Sequence, residues 1–330
     1  MRKIVLFLLS SVSVTSLFAQ LPDYYRKVDR IIWVVDDVDK VVRGWRNLGF
    51  EQIRDAALVT LHDTTYLGKP AESTVKSAAG RLGEARVRWI QPVSGKNAYT
   101  EYLSVHGDGV FSLVHRVPTR EALKAEIARL APLGVGVLEQ GEASSPSGAV
   151  SYAYFDTLKE GKYSLGLIYV PQAQAVDMPA QAPMNLKLSQ YAFVVHDPRL
   201  ISSYWSRLGF PEMTYTHGGL RDLVHRGKPG QFDQELGWQR QGDVVYEWIR
   251  PTKGPTVYEE YLRTHGEGFH HLAFDTDDID AVTARWADLG FAAVQSGAWG
   301  EAGKTGSGRF SYSDTTAIGG VTIEFLWNLR

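Results

Sequence analysis

An apolar run of strand character, an acidic pair, an amphipathic stretch and then Leu-Gly-Phe follow one another from Ile31 in "IIWVVDDVDKVVRGWRNLGF". The same order of hydrophobic and polar positions returns from Tyr191 in "YAFVVHDPRLISSYWSRLGF", 160 residues later. "YTEYLSVHGDGVFSLVHRV" from Tyr99 matches "YEEYLRTHGEGFHHLAFDT" from Tyr258 at an offset of 159, and "YFDTLKEGKYSLGLIYV" from Tyr154 matches "YSDTTAIGGVTIEFLW" from Tyr312 at 158. A fixed offset over the whole length marks a duplication, so residues 28–170 and 186–330 are two copies of one domain. Residues 171–185 between them, beginning "PQAQAVDMPAQAP", carry no periodicity and read as a linker.

Each copy repeats again within itself. "LSQYAFVVHDPRLISSYWSRLGF" and "HHLAFDTDDIDAVTARWADLGF" share one plan of strand, capped start, amphipathic helix and Leu-Gly-Phe. Asp197 followed by Pro198 is an N-cap with proline at the first helical position, and Asp277 and Asp278 supply a similar start. Gly209 and Gly290 stand where a helix would end in a left-handed residue. Three short, turn-bounded strand-like runs follow each helix. The unit is β-α-β-β-β, written four times, and the fold class is α+β.

Composition narrows the function. Charged residues are 22% of the chain and the net charge is −2, with no long run of one sign, so no nucleic-acid footprint exists. There is no cysteine, which excludes disulfides, thiolate metal sites and cysteine nucleophiles. "MRKIVLFLLSSVSVTSLFAQ" (residues 1–20) has a basic start, a short apolar middle and small residues up to Ala19. It reads as a secretory signal peptide, which implies a periplasmic or secreted protein with no membrane span after cleavage.

The "VVDD…W..LGF" helix and the final "GGVTIEFLW" strand resemble the vicinal oxygen chelate superfamily, which includes glyoxalase I, methylmalonyl-CoA epimerase, extradiol dioxygenases and bleomycin-resistance proteins. The resemblance covers nearly all of the chain beyond residue 20. It implies that two modules pair into an open, bowl-shaped mixed sheet, with helices on the convex face and a divalent metal on the concave one. Strand parity then selects residues. In "GGVTIEFLW" the bulky Val321, Ile323 and Phe325 should pack on helices, which turns Glu324 to the other face. In "FHHLAF" the same alternation puts His270 with Leu272 and Phe274, and His271 on the concave side. Gln190 in "LSQYAFVV" and Glu247 in "GDVVYEWIRP" complete the set.

The order Gln190, Glu247, His271, Glu324 matches the metal ligands of glyoxalase I of the animal type. One nitrogen and three oxygen donors suit a single divalent ion such as Zn, Ni, Co, Mn or Mg. The resemblance makes Glu324 the base, with Glu247 opposite it. The chemistry implied is isomerase, lyase or epimerase action by proton abstraction next to a carbonyl through a metal-bound enediolate, on a small substrate with adjacent oxygens. Export sets this apart from the cytosolic glutathione adducts of glyoxalase I. A non-catalytic binding protein of the same fold and a ring-cleaving dioxygenase are the alternatives. The latter uses two histidines and one carboxylate, and the first histidine position here holds Gln190. A homodimer is possible.

In the first copy the four positions hold Arg30, Arg88, Ser112 and Gly166, so that domain is metal-free and degenerate. Its plain role is to pack against the other half; a sharper one is to bind an anion at the two arginines. Trp238, Trp248, Tyr258 and Trp299 lie near the bowl, with Trp248 turned away from the ligands. "SGAWGEAGKTGSGRF" (Ser296–Phe310) reads as a long mobile loop able to close over the site. His106 and His265 recur in both copies and so serve the fold, whereas His217 and His225 could touch substrate.

Overall fold

The computed structural model describes residues 21–145, 148–171 and 183–329. The signal peptide and most of the linker expected from the sequence lie outside the described residues.

The first copy builds eight strands: β1 (Arg30–Val34), β2 (Ala57–Tyr66), β3 (Lys69–Leu82), β4 (Ala85–Ser94), β5 (Gly109–Val117), β6 (Val137–Ser145), β7 (Gly148–Phe155) and β8 (Ser164–Tyr169). They close into a barrel in the order β1-β4-β3-β2-β6-β7-β8-β5. The pairs β1–β4 and β5–β8 are parallel and the others antiparallel, so the sheet is mixed. The second copy repeats the plan with β9 (Lys187–Val194), β10 (Thr214–His217), β11 (Leu220–His225), β12 (Lys228–Pro229), β13 (Asp233–Gln241), β14 (Val244–Lys253), β15 (Gly268–Asp275), β16 (Ala293–Trp299), β17 (Gly308–Ser313) and β18 (Thr322–Asn328).

One difference between the two sheets matters for the site. In the first, β2 is continuous and pairs with both β3 and β6, which closes the ring. In the second, the corresponding segment is split. β10 pairs with β13, β11 pairs with β16, and Gly218 and Gly219 between them have φ of +74° and +76°. Two successive left-handed residues cannot continue a strand, so this sheet curls without one strand bridging its edges.

The module helices are α1 (Val38–Asn47), α3 (Arg120–Leu130), α5 (Pro198–Arg207) and α7 (Ile279–Asp288); α2 (Ala98–His106), α4 (Leu158–Gly161) and α6 (Val257–His265) are connections. The expected caps are present: the Asp197 carboxylate accepts from Arg199 N–H, Asp278 accepts from Ala281 N–H, and Gly209 and Gly290 have φ of +97° and +94°. Apolar faces of all four module helices and the outer faces of both sheets form one continuous core. Trp33, Trp45, Trp89, Trp205, Trp248 and Trp286 are fully buried in it, each worth ~3–5 kcal/mol against truncation to alanine. The halves are therefore joined through their helical layers. Trp45 meets Trp286 at 6.5 Å between ring centroids, and Trp33 Nε1 donates to Gly319 O at 2.6 Å. Two further apolar clusters fill the insides of the two curled sheets.

Candidate metal centre

Backbone pairing sets the site out in two adjoining rows. In one, Glu247 on β14 is registered with Ala192 on β9, which is registered with His271 on β15. In the other, Gln190 on β9 stands opposite Ala273 on β15, which stands opposite Glu324 on β18. Directly paired residues share a face, so all four side chains point to the inside of the curled sheet.

The three charged members meet. His271 Nε2 lies 3.4 Å from Glu247 Oε2 and 3.2 Å from Glu324 Oε2, and the three ligand atoms fall within 4.8 Å of one another. All three residues are buried, His271 completely. Gln190 is half-buried and lines the same cavity as Glu247 and Glu324. Glu247 Oε2, His271 Nε2, Glu324 Oε2 and Gln190 Oε1 are buried without a well-formed hydrogen bond.

Three orphaned ligand atoms within 4.8 Å of one another, with Gln190 lining the same cavity, fit a cation. Ligands ~2.1 Å from a shared ion, at angles near ~100°, stand ~3.2 Å apart. The observed spacings match that figure, and they are long for hydrogen bonds. Two buried carboxylates beside one imidazole carry excess negative charge, which is costly unless a cation balances it. Electrostatics agree. Burial and the charge of Glu324 push Glu247 upward, against a contribution from His271. Burial opposes a charged His271, but Glu324 and Glu247 prevail and raise it to about 9.

His270 departs from the parity expectation. The β9–β15 register shifts between Phe269 and His271, a β-bulge, and a bulged residue escapes alternation. His270 therefore does not join Leu272 and Phe274 against the helices. It packs inside, edge-on to Tyr258 and Tyr261 at 5.4 and 5.0 Å, with its Nδ1 2.9 Å from His271 Nδ1. Burial holds His270 well below the ordinary imidazole range, so it is neutral and can accept from His271 Nδ1–H. With a cation in place of the Nε2 proton, that tautomer would turn the lone pair of His271 Nε2 toward the ion.

The cavity above the ligands is about 790 Å³. Trp238, Trp299, Phe310, Tyr312 and Leu236 wall it, Arg240 stands at its side, and Gly218 and Gly219 line it where the strand breaks. Trp238 and Trp299 thus lie where the sequence placed them. Trp248 points away as expected, stacked on Phe193 at 4.3 Å in the outer core. Tyr258 is fully buried and reaches the site indirectly. Its hydroxyl donates to Tyr312 at 2.7 Å, and Tyr312 on β17 is registered with Glu324 on β18.

Two expectations change. Ser296–Phe310 is not one long loop, because β16 and β17 pair from Ala293 to Ser313 and only residues 300–307 connect them. His217 and His225 do not reach the cavity: they pair with Asp233 at 3.2 Å and Glu260 at 3.3 Å. His106 and His265 lie against Tyr102 and Tyr261 at the ends of α2 and α6, a structural placement. Tyr312, Arg240 and the Gly218–Gly219 break were missed. The recurrence of Tyr154 as Tyr312 and of Tyr99 as Tyr258 between the copies was the available signal.

Residues 189–312 match the family described as Glyoxalase/Bleomycin resistance protein/Dioxygenase superfamily. Among curated proteins none matches the chain in sequence. Among solved structures, a mutant of 4-hydroxymandelate synthase from Streptomyces coelicolor superposes with a TM-score of 0.58 at 17% identity, covering 92% of each chain. A xylose isomerase-like TIM barrel/4-hydroxyphenylpyruvate dioxygenase fusion protein gives 0.51 at 13% identity, over 92% of this chain and 49% of its own. Identities this low speak to fold alone. The half that carries the acidic site thus matches the glyoxalase/bleomycin resistance/dioxygenase superfamily over residues 189–312, and the doubled βαβββ architecture agrees with that match in fold.

Proposed function

We propose that the carboxy-terminal domain is a divalent-metal-dependent isomerase, lyase or epimerase that moves a proton next to a carbonyl, with Gln190, Glu247, His271 and Glu324 as its ligands. The observation that carries the reading is the convergence of orphaned, buried donor atoms on the floor of an aromatic-walled cavity. A divalent ion held there polarises a substrate carbonyl and acidifies the neighbouring C–H. In this reading Glu324 takes that proton as the C–H electron pair moves toward the carbonyl, and Glu247, on the other side of His271 in the sheet, returns one. The Tyr258–Tyr312 hydroxyl pair stands beside Glu324 on the neighbouring strand. Trp238, Trp299 and Phe310 exclude water and suit a flat or apolar substrate body, while Arg240 suits an anionic group on it. The signal-peptide pattern of residues 1–20 supports a setting outside the cytosol, periplasmic or secreted, for this activity.

A ring-cleaving or other oxygen-dependent reaction is the second reading, favoured by the fold it shares with 4-hydroxymandelate synthase. The donor set weighs against it, since such sites use two histidines and one carboxylate. Metal analysis and turnover decide. The first reading expects about one redox-silent ion per chain, deuterium uptake from solvent into an α-hydroxycarbonyl compound, and loss of that uptake in Glu324→Gln with metal retained. Iron with substrate-dependent oxygen consumption would establish the second reading. A chain that takes up no ion from Zn, Ni, Co, Mn, Mg or ferrous iron refutes both.

A further inference from the structure

The inside of the amino-terminal barrel preserves the frame of the metal site. Arg88 is registered with Ile32 as Glu247 is with Ala192, and Ile32 with Ser112 as Ala192 is with His271. Arg30 faces Val114 as Gln190 faces Ala273, and Val114 faces Gly166 as Ala273 faces Glu324. The tyrosine pair recurs as well, with Tyr99 donating to Tyr154 at 3.1 Å. The positions are kept while the charge they carry is reversed.

Their hydrogen bonding is lopsided. Arg88 gives Nε–H to Ser77 Oγ at 2.9 Å, its one hydrogen bond among the described residues. Arg30 gives Nε–H to Asp29 at 2.8 Å, whereas Arg88 pairs with no carboxylate among the described residues. Glu139, the nearby buried acid, is spent on Ala98 N–H at 2.8 Å and Tyr152 O–H at 3.0 Å. Tyr154 accepts from Tyr99 and keeps its own proton to give, and Ser112 Oγ is buried without a partner. Burial and the charge of Arg30 both bear down on Arg88. These groups surround a cavity of about 30 Å³ lined by Arg30, Ser77, Arg88, Tyr99, Tyr152 and Tyr154 between apolar walls. That is room for one or two water-sized groups, too little for sulfate, phosphate or a metabolite. Neutral water would leave the charge of Arg88 unbalanced.

We propose that the amino-terminal barrel is a binding site for one compact monovalent anion, chloride or the head of a short carboxylate, held between Arg30 and Arg88 with the Tyr154 hydroxyl. The duplicated centre is retained with its sign inverted. This stands on residues of the first domain only and is independent of the metal reading.

Two experiments on the full chain test it. Crystals grown with bromide should show an anomalous peak between Arg30 and Arg88, removed by exchange into formate if carboxylates compete for the site. Bromide found on the surface but not in the barrel overturns the proposal. In solution, replacing sulfate by chloride or formate at constant ionic strength should raise the unfolding midpoint saturably. Arg88→Met keeps the aliphatic stem and should lose that saturable rise while its metal content stays that of the wild type. A midpoint that follows ionic strength alone, or the same rise in Arg88→Met, overturns it too. Should the variant fail to fold, the bromide experiment on the wild type decides alone.

Discussion

His115 makes the most closely defined test of the packing. It sits on β5, fully buried, with Nδ1 2.8 Å from Lys27 O and Nε2 buried without a partner. Burial outweighs the backbone bond and the charge of Asp29, and lowers the imidazole from 6.5 to about 4. The folded chain thus resists a proton that the unfolded chain accepts. Between pH 6.5 and 4 the unfolded state binds the extra proton, so stability is full above that window and is lost as pH falls through it. With those two values, the loss is ~2 kcal/mol at pH 5 and ~3 kcal/mol at pH 4. In His115→Asn a side-chain amide can still donate toward Lys27 O, but nothing titrates. The variant is less stable at neutral pH because the ring's volume is lost. The decisive quantity is the difference in unfolding free energy between pH 7.5 and pH 5, measured by urea denaturation with chelator present. It should be ~2 kcal/mol smaller in the variant than in the wild type. Other titrating groups, such as Glu139 and His270, act in both proteins and cancel. Equal losses in both would refute the buried neutral imidazole and the packing that implies it.

Three further outcomes follow from the two centres. Gly166→Ala should destabilise the chain by ~1–3 kcal/mol, because the new methyl would stand 2.6 Å from Ser112 Oγ and 2.7 Å from Val114 Cγ2; an unchanged thermal midpoint would refute this. His270→Phe copies Phe111, its counterpart in the other barrel, and should fold normally. It removes the partner of His271 Nδ1, so the metal dissociation constant, read by chelator competition, should rise ~10–100-fold; wild-type affinity would show that His270 does not position the ligand. Stripping the metal should lower the thermal midpoint of the wild type but not that of Glu247→Gln in the same buffer, where a charged ligand is already gone.

How far the sequence carried depended on how regular the backbone is. Period-two alternation turned Gln190, Glu247, His271 and Glu324 to one face because the rows Glu247–Ala192–His271 and Gln190–Ala273–Glu324 stay in register, although the β9–β15 ladder shifts on either side of them. It failed one residue away, at His270, where a bulge cancels the alternation and nothing in "GFHHLAF" announces it. It failed again in "TYTHGGLRDLVHRGKP", where two left-handed glycines divide one strand into short pieces with different neighbours. Closure of the first sheet was equally hidden. It rests on β2 meeting β6 across more than seventy residues, a pairing to which no local pattern answers.

The duplication supplied what local pattern could not, and its logic extends to the site. Positions where the copies agree, such as Tyr99 with Tyr258 and Tyr154 with Tyr312, keep the same bonds in both curled sheets and belong to the scaffold. The differences that matter gather at one place: Gln190 against Arg30, Glu247 against Arg88, His271 against Ser112, Glu324 against Gly166, His270 against Phe111. Drift on a neutral face would mix charges of both signs. Here every acid facing the centre is exchanged for a cation or for nothing, and Gly166 leaves no room for a return to glutamate without displacing Ser112 and Val114. A cavity of about 790 Å³ above one set and about 30 Å³ beside the other separates their work by size as well as by sign. The first has space for an organic substrate, and the second for little more than an ion.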